Sequence, residues 1–233
     1  MISIVAVNHK SYEWAKLLIE SARRFSEKKH EIVIVENTKV GTQPIQDATV
    51  VDNHGEPSHG VGLNVGVLAA QGEFCLVLDI DCHFLHGGWE TAFQRALEGH
   101  HVVTVPGSEA KPLRPACMFM KTSVARGYDW RSTPGYQGHR VTPDGFDVGI
   151  IAYHEMVAAG LPIRWMEIIG KKAGRYPTIN GEEYALMGIP YFYHHWHGTH
   201  LEYRQKDYPD VDLAADKELL FRSIPWKKKT KFA

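Results

Sequence analysis

The chain has 233 residues, 44% of them apolar and 23% charged, the balance of an ordinary globular protein. Lysine and arginine (26) nearly match aspartate and glutamate (27), and the formal net charge of −1 gives no global field for nucleic acid. No apolar run approaches the roughly 20 residues of a membrane-spanning helix, and the length fits one α/β domain with a substantial core.

The N-terminus, MISIVAVNHK, reads as a strand over Ile2–Val7 rather than as a leader peptide. Ser11 is placed to cap the helix that follows, in which Trp14, Leu17, Leu18 and Phe25 recur at helical spacing. Glu31–Glu36 is a second buried strand and Thr49–Asp52 a short third. A Gly- and His-containing loop, Asn53–Gly60, leads into a helix over Val61–Gln71. The strand Phe74–Leu78 follows, then a helix over Trp89–Leu97 and a strand at Val102–Val105. Strands alternating with helices every 30 residues or so predict a mostly parallel sheet covered on both faces.

After Pro106 the rhythm changes. Pro115–Met120 reads as a short strand and 126–145 as a polar loop. Asp147 is expected to open an amphipathic helix through Ala159. Ile163–Ile168 and Ile189–His195 read as strands, and Asp212–Arg222 as a last helix. One domain in two parts results: a nucleotide-type half over about 1–106 and a more irregular half, with a C-terminal extension, over about 107–233.

The chemistry concentrates at Asp79 and Asp81, delivered together by the end of an apolar strand. If the strand continues, carboxylates two residues apart point the same way, and they repel unless a cation lies beside them. Hard oxygen ligands of this kind suit Mg²⁺ or Mn²⁺, and such a cation usually holds a phosphate-bearing substrate. In an open parallel sheet, ligands bind beyond the carboxyl ends of the strands. Asn8, Glu36 and Asn37 end the first two strands and join Asp79 and Asp81 there.

Three cysteines, Cys75, Cys82 and Cys117, form no C-x-x-C pair. The expectation is reduced thiols in a cytoplasmic protein, with Cys75 and Cys117 as small core residues. The tail PWKKKTKFA sets four lysines beside Trp226 and Phe232. It reads as a solvated terminus or as a weak contact for an anionic membrane surface.

VAVNHKS (Val5–Ser11), IVEN (Ile34–Asn37) and GVGLNVGVLAAQGEFCLVLDID (Gly60–Asp81), in that order, resemble nucleotide-diphosphate-sugar glycosyltransferases of the GT-A fold, most of all family 2. The resemblance implies a Rossmann-like, mostly parallel central sheet flanked by helices, with a smaller irregular acceptor-side half. It implies that Asn8, Glu36, Asn37 and Asn64 bind the nucleotide with Asp79 and Asp81, the last two as the DxD ligands of Mn²⁺ or Mg²⁺. Transfer from a UDP-, GDP- or dTDP-sugar to a hydroxyl of a glycan or other acceptor is the implied reaction, with no nucleic acid involved. Gly145-Phe146-Asp147 matches the place of the family's catalytic acid pair; Phe146 replaces the first member, so only Asp147 carries over, as a general base or as a helix cap. The Q-x-x-R-W motif of processive synthases is absent, since Arg164-Trp165 lacks its glutamine.

The run His194-His195-Trp196-His197-Gly198-Thr199-His200 is the other constellation. The family often sets a late histidine on the DxD metal, and His197 is the first choice with His195 second. A separate zinc site and a packed histidine cluster are the other readings of that run. Tyr128, Trp130, Arg131, Tyr136, His139 and Arg140 form either a flap over the substrates or a loop packed back on the core. A nucleotidyltransferase and a non-catalytic sugar-nucleotide-binding module are the rival functions. NHKSYEW after the first strand has no glycine and one lysine, unlike the phosphate loop of the former.

Overall fold

The computed structural model describes residues 1–38, 44–54, 58–108, 111–132, 148–169, 181–195, 218 and 221–222. Seven strands form the main sheet in the order β3-β2-β1-β4-β7-β6-β8. Strands β1 (Ile2–Asn8), β2 (His30–Glu36), β3 (Thr49–Asp52) and β4 (Phe74–Leu78) pair in parallel. Strand β7 (Lys111–Lys121) runs antiparallel to both β4 and β6 (Val102–Ser108), and β8 (Ile163–Trp165) returns parallel to β6. A second, antiparallel sheet has the order β5-β11-β10-β9, from β5 (Cys82–Phe84), β9 (Glu167–Ile169), β10 (Gly181–Leu186) and β11 (Ile189–His195). This is the expected GT-A-like architecture: a mostly parallel, mixed sheet with helices, plus a smaller sheet.

Side chains on β1 alternate between two cores, as a strand covered on both faces requires. Ile2, Ile4 and Ala6 pack with Trp14, Leu17 and Leu18 of helix α1 (Tyr12–Phe25), and Val5 and Val7 with Leu63 and Val67 of α2 (His59–Ala69). Glycines set α2 close to the sheet. A Cβ on Gly66 would stand 2.5 Å from Val5 Cγ1, and one on Gly62 2.9 Å from Val7 Cγ1. Helix α3 (Trp89–Leu97) covers the other face through Trp89, Phe93 and Leu97. The three cysteines are free and buried.

Several boundaries differ from expectation. The short strand at Pro115–Met120 is part of the eleven-residue β7, which continues into the short helix α4 (Thr122–Ala125). Ile163–Ile168 divides at Met166, whose side chain enters the core while β8 joins one sheet and β9 the other. Helix α5 (Ile150–Ala158) starts after a cap at Gly149, where a φ of +78° turns the chain, and so later than the expected opening at position 147. Ser11 occupies the first cap, yet its hydroxyl donates to the His9 carbonyl instead of capping α1. Only Glu218, Phe221 and Arg222 of the last predicted helix are described, and they are helical. The basic tail, Asp147 and Trp196–His200 lie outside the described residues, as does most of the proposed flap. Trp130 of that flap is buried, donating from Nε1 to the Ala125 carbonyl at 3.0 Å, so it packs back on the core. No helix among the described residues is long and apolar enough to cross a membrane.

Candidate active site

Because β1–β4 are parallel, their carboxyl ends share one edge, with Asn8 opposite Glu36 and Glu36 opposite Asp52. Asn8 Nδ2 donates to Glu36 Oε2 at 2.7 Å, and the Thr38 amide donates to Glu36 Oε1 at 2.9 Å. Asn8 Oδ1 accepts from the Ser11 amide at 3.0 Å, which fixes the entry to α1. Asn37 Oδ1 accepts from Asn53 Nδ2 at 2.9 Å, and Asn37 Nδ2 donates to the Ser58 carbonyl at 3.1 Å. Asn8, Glu36 and Asn37 are buried and form one polar network under the strand ends. The Tyr12 phenol has a raised pKa, first from burial and then from its hydrogen bond to Glu36.

Ser58 leads from this network to the start of α2, where its hydroxyl accepts from the Val61 amide. The next residue, His59, sets Nε2 3.8 Å from Asp79 Oδ1. The amino end of α2, with its partial positive charge, therefore lies between the Asn8–Glu36 network and the carboxylates.

At Asp79 the strand does not continue. Cys82 N donates to the Asp79 carbonyl at 2.9 Å, closing a turn over 79–82 from which β5 departs. The strand ends at Leu78 as read from the sequence, so the carboxylates are not aligned by strand alternation; the turn brings them together instead. Strand β11 pairs antiparallel with β5, His194 opposite Cys82, and the His195 amide donates to the Asp81 carbonyl at 3.1 Å. That register sets His194 Nε2 3.5 Å from Asp79 Oδ2 and 3.4 Å from Asp81 Oδ1.

Burial works against a charge on His194, but Asp81 foremost, with Glu182 and Asp79, raises its pKa to about 10. Its Nδ1 lies 2.6 Å from the Tyr184 hydroxyl, which is 2.8 Å from Glu182 Oε1. His195 faces the opposite side, fully buried, with Nε2 2.9 Å from His83 Nδ1 and its ring 4.9 Å from that of Trp14. Its pKa is held well below the usual value, by burial first and then by His83 and His194. As second choice for a ligand shared with the DxD pair, His195 is therefore corrected: strand alternation turns it into the core and presents His194 instead. His197, the first choice, lies outside the described residues.

Asp81, Cys82 and His194 offer ligand atoms within 4.8 Å of one another. Cys82 is the weak member for a hard cation. Burial, reinforced by Asp79 and Asp81, keeps its pKa well above the ordinary value, and Sγ faces the Ala116 carbonyl at 3.6 Å. Asp79 and Asp81 oxygens with an imidazole nitrogen are a donor set that fits Mn²⁺ or Mg²⁺. Asn64 stands apart from this cluster: Nδ2 donates to Asp129 Oδ1 at 2.9 Å, and Oδ1 accepts from the Trp130 amide at 3.0 Å. It fastens the 129–130 segment onto α2.

No protein-family model and no curated protein sequence matches the chain. Among solved structures, TarS 1–349 from S. aureus superposes over 94% of this chain and 69% of its own, at 13% identity and a TM-score of 0.51. The same fragment in complex with UDP gives a TM-score of 0.52 over the same shares. A longer TarS structure also gives 0.52, with 42% of its length covered. At this identity the likeness establishes a shared fold.

Proposed function

We propose that the chain is a metal-dependent glycosyltransferase moving a sugar from a nucleoside-diphosphate-sugar to an acceptor hydroxyl. One observation carries this reading. Asp79, Asp81 and His194, from two sheets, converge at the carboxyl end of a GT-A-like sheet and beside the amino end of α2. TarS 1–349, a protein of the same fold, has been solved in complex with UDP, which supports a nucleotide-sugar as the donor.

Asp79, Asp81 and His194 would hold Mn²⁺ or Mg²⁺. When bound, such a cation neutralises charge on a departing diphosphate. The amino end of α2 and His59 favour the same phosphate groups. Asn8, Glu36 and Asn37, held by their mutual hydrogen bonds, shape the base side of a UDP-, GDP- or dTDP-sugar site. Asp147 is the general base, taking the acceptor proton as the hydroxyl attacks the anomeric carbon, and a single displacement inverts that centre. The acceptor is a glycan or another hydroxyl compound, and the reduced, buried thiols suit a cytoplasmic protein.

The test is release of nucleoside diphosphate from UDP-, GDP- and dTDP-sugars with Mn²⁺ and candidate glycan acceptors. Turnover is expected with one donor class, with the product's anomeric configuration inverted by NMR. Asp147→Asn should lower turnover by about 10²–10⁴-fold while nucleotide binding persists. Nucleotide binding without turnover on any donor and acceptor would instead mark a non-catalytic binding module.

A further inference from the structure

Behind His194 a line of polar side chains runs away from the carboxylates and into the protein. His194 Nδ1 lies 2.6 Å from the Tyr184 hydroxyl, the hydroxyl lies 2.8 Å from Glu182 Oε1, and Arg114 Nη1 pairs with that same oxygen. Tyr184 and Glu182 belong to β10 and are fully buried, whereas Arg114 reaches across from β7 in the main sheet.

The direction of each hydrogen bond follows from the two ends of the line. A carboxylate oxygen only accepts and a guanidinium only donates. Glu182 Oε1, already accepting from Arg114, also takes the single Tyr184 hydroxyl proton. The Tyr184 oxygen then turns a lone pair toward His194, and only an Nδ1–H completes that contact. Nε2 is left on the side of Asp79 and Asp81. Packing alone does not call for a carboxylate at position 182, where burial is costly unless the charge is paired.

We infer that Tyr184 and Glu182, balanced by Arg114, are positioning residues that hold His194 with Nδ1 as hydrogen-bond donor and Nε2 as metal ligand. The inference rests on the metal-site reading above. Carboxylates and hydroxyls bonded to the far nitrogen of a ligating imidazole commonly fix it in this way. Here the relay links the two sheets through Arg114 of β7 and Glu182 of β10.

The probe is Mn²⁺ alone, with dissociation constants taken at one pH from the EPR signal of the free ion. Wild type, Tyr184→Phe, Glu182→Gln and His194→Ala are compared, with a melting curve for each. Long-range ¹⁵N–¹H spectra of ¹⁵N-histidine-labelled protein with Mg²⁺ report which ring nitrogen of His194 carries hydrogen. Tyr184→Phe, still folded, should weaken Mn²⁺ binding by about ten- to a hundredfold. The Nδ1–H pattern of His194 seen in wild type should be lost in the same variant. Glu182→Gln should weaken binding in the same direction, and it carries the test if Tyr184→Phe fails to fold. Wild-type affinity in Tyr184→Phe and Glu182→Gln, with binding lost in His194→Ala, overturns the inference. Equal affinity in wild type and His194→Ala removes the metal-site reading beneath it.

Discussion

His194 and His195 are neighbours on β11 that face opposite ways: one meets Asp79 and Asp81, the other meets His83 and Trp14. Their surroundings drive their protonation in opposite directions. The carboxylates favour a charged His194, while burial keeps His195 neutral. The same strand thus presents one imidazole to the candidate site and contributes the other to the core beneath it.

Stability in EDTA should therefore fall on both sides of neutrality. An unfolded histidine titrates near 6.5 (roughly), and His195, lowered in the folded chain, stabilises above that pH and loses its contribution as pH falls toward its folded value. His194, raised to about 10, stabilises fully below its unfolded value and loses that contribution as pH rises through about 10. Each group titrating in only one state gives a slope of about 1.4 kcal/mol per pH unit. Urea unfolding from acid to alkaline pH should show a shallower acid limb in His195→Gln and a flatter alkaline limb in His194→Asn. Unchanged limbs in both variants would contradict these assignments.

Gly66→Ala should destabilise the chain although alanine favours helix. The added methyl would stand 2.5 Å from Val5 Cγ1 and 2.8 Å from Val35 Cγ2, both on stiff β-branched side chains. Overpacking costs about 1–3 kcal/mol, against a propensity gain of roughly 0.8–1.0 kcal/mol. A lower melting temperature than wild type is expected. Leu68→Ala on the same helix, where Leu68 is 67% exposed, should change little.

Asn8→Ala removes a hydrogen bond to the Glu36 carboxylate and the acceptor for the Ser11 amide. Hydrogen bonds to charged groups contribute about 1.5–3 kcal/mol, so a loss of that order is expected in denaturant titration. A wild-type midpoint would show that the network under the strand ends carries little of the stability.

The strand–helix alternation of the first half and the Asp79–Asp81 pair were legible because they depend on local pattern. Thr49–Asp52 and Trp89–Leu97 occur at the expected residues. Strands β5 and β10 were not read. Cys82–Phe84 is three residues long and leaves directly from the turn at Asp79. Gly181–Leu186 carries a buried Glu182 that breaks the apolar pattern, since the partner that makes its burial tolerable, Arg114, lies on a distant strand. The same non-locality hid His194. Two adjacent histidines cannot be assigned to faces until the register of β11 against β5 is known, and that register is a tertiary fact. His59 was read as part of the loop before the helix, whereas α2 begins at it, and its approach to Asp79 needed the sheet.

The most direct measurement is thermal unfolding with UDP, GDP, dTDP and CDP, each with and without Mn²⁺, on wild type, Asp81→Asn and His194→Ala. A ligand at 100 times its dissociation constant stabilises the fold by about 2.7 kcal/mol, a readily visible shift. Stabilisation by one nucleotide that requires Mn²⁺ and disappears in both variants is the predicted result. No shift with any nucleotide, or an undiminished shift in Asp81→Asn, would contradict a metal-held nucleotide at Asp79, Asp81 and His194.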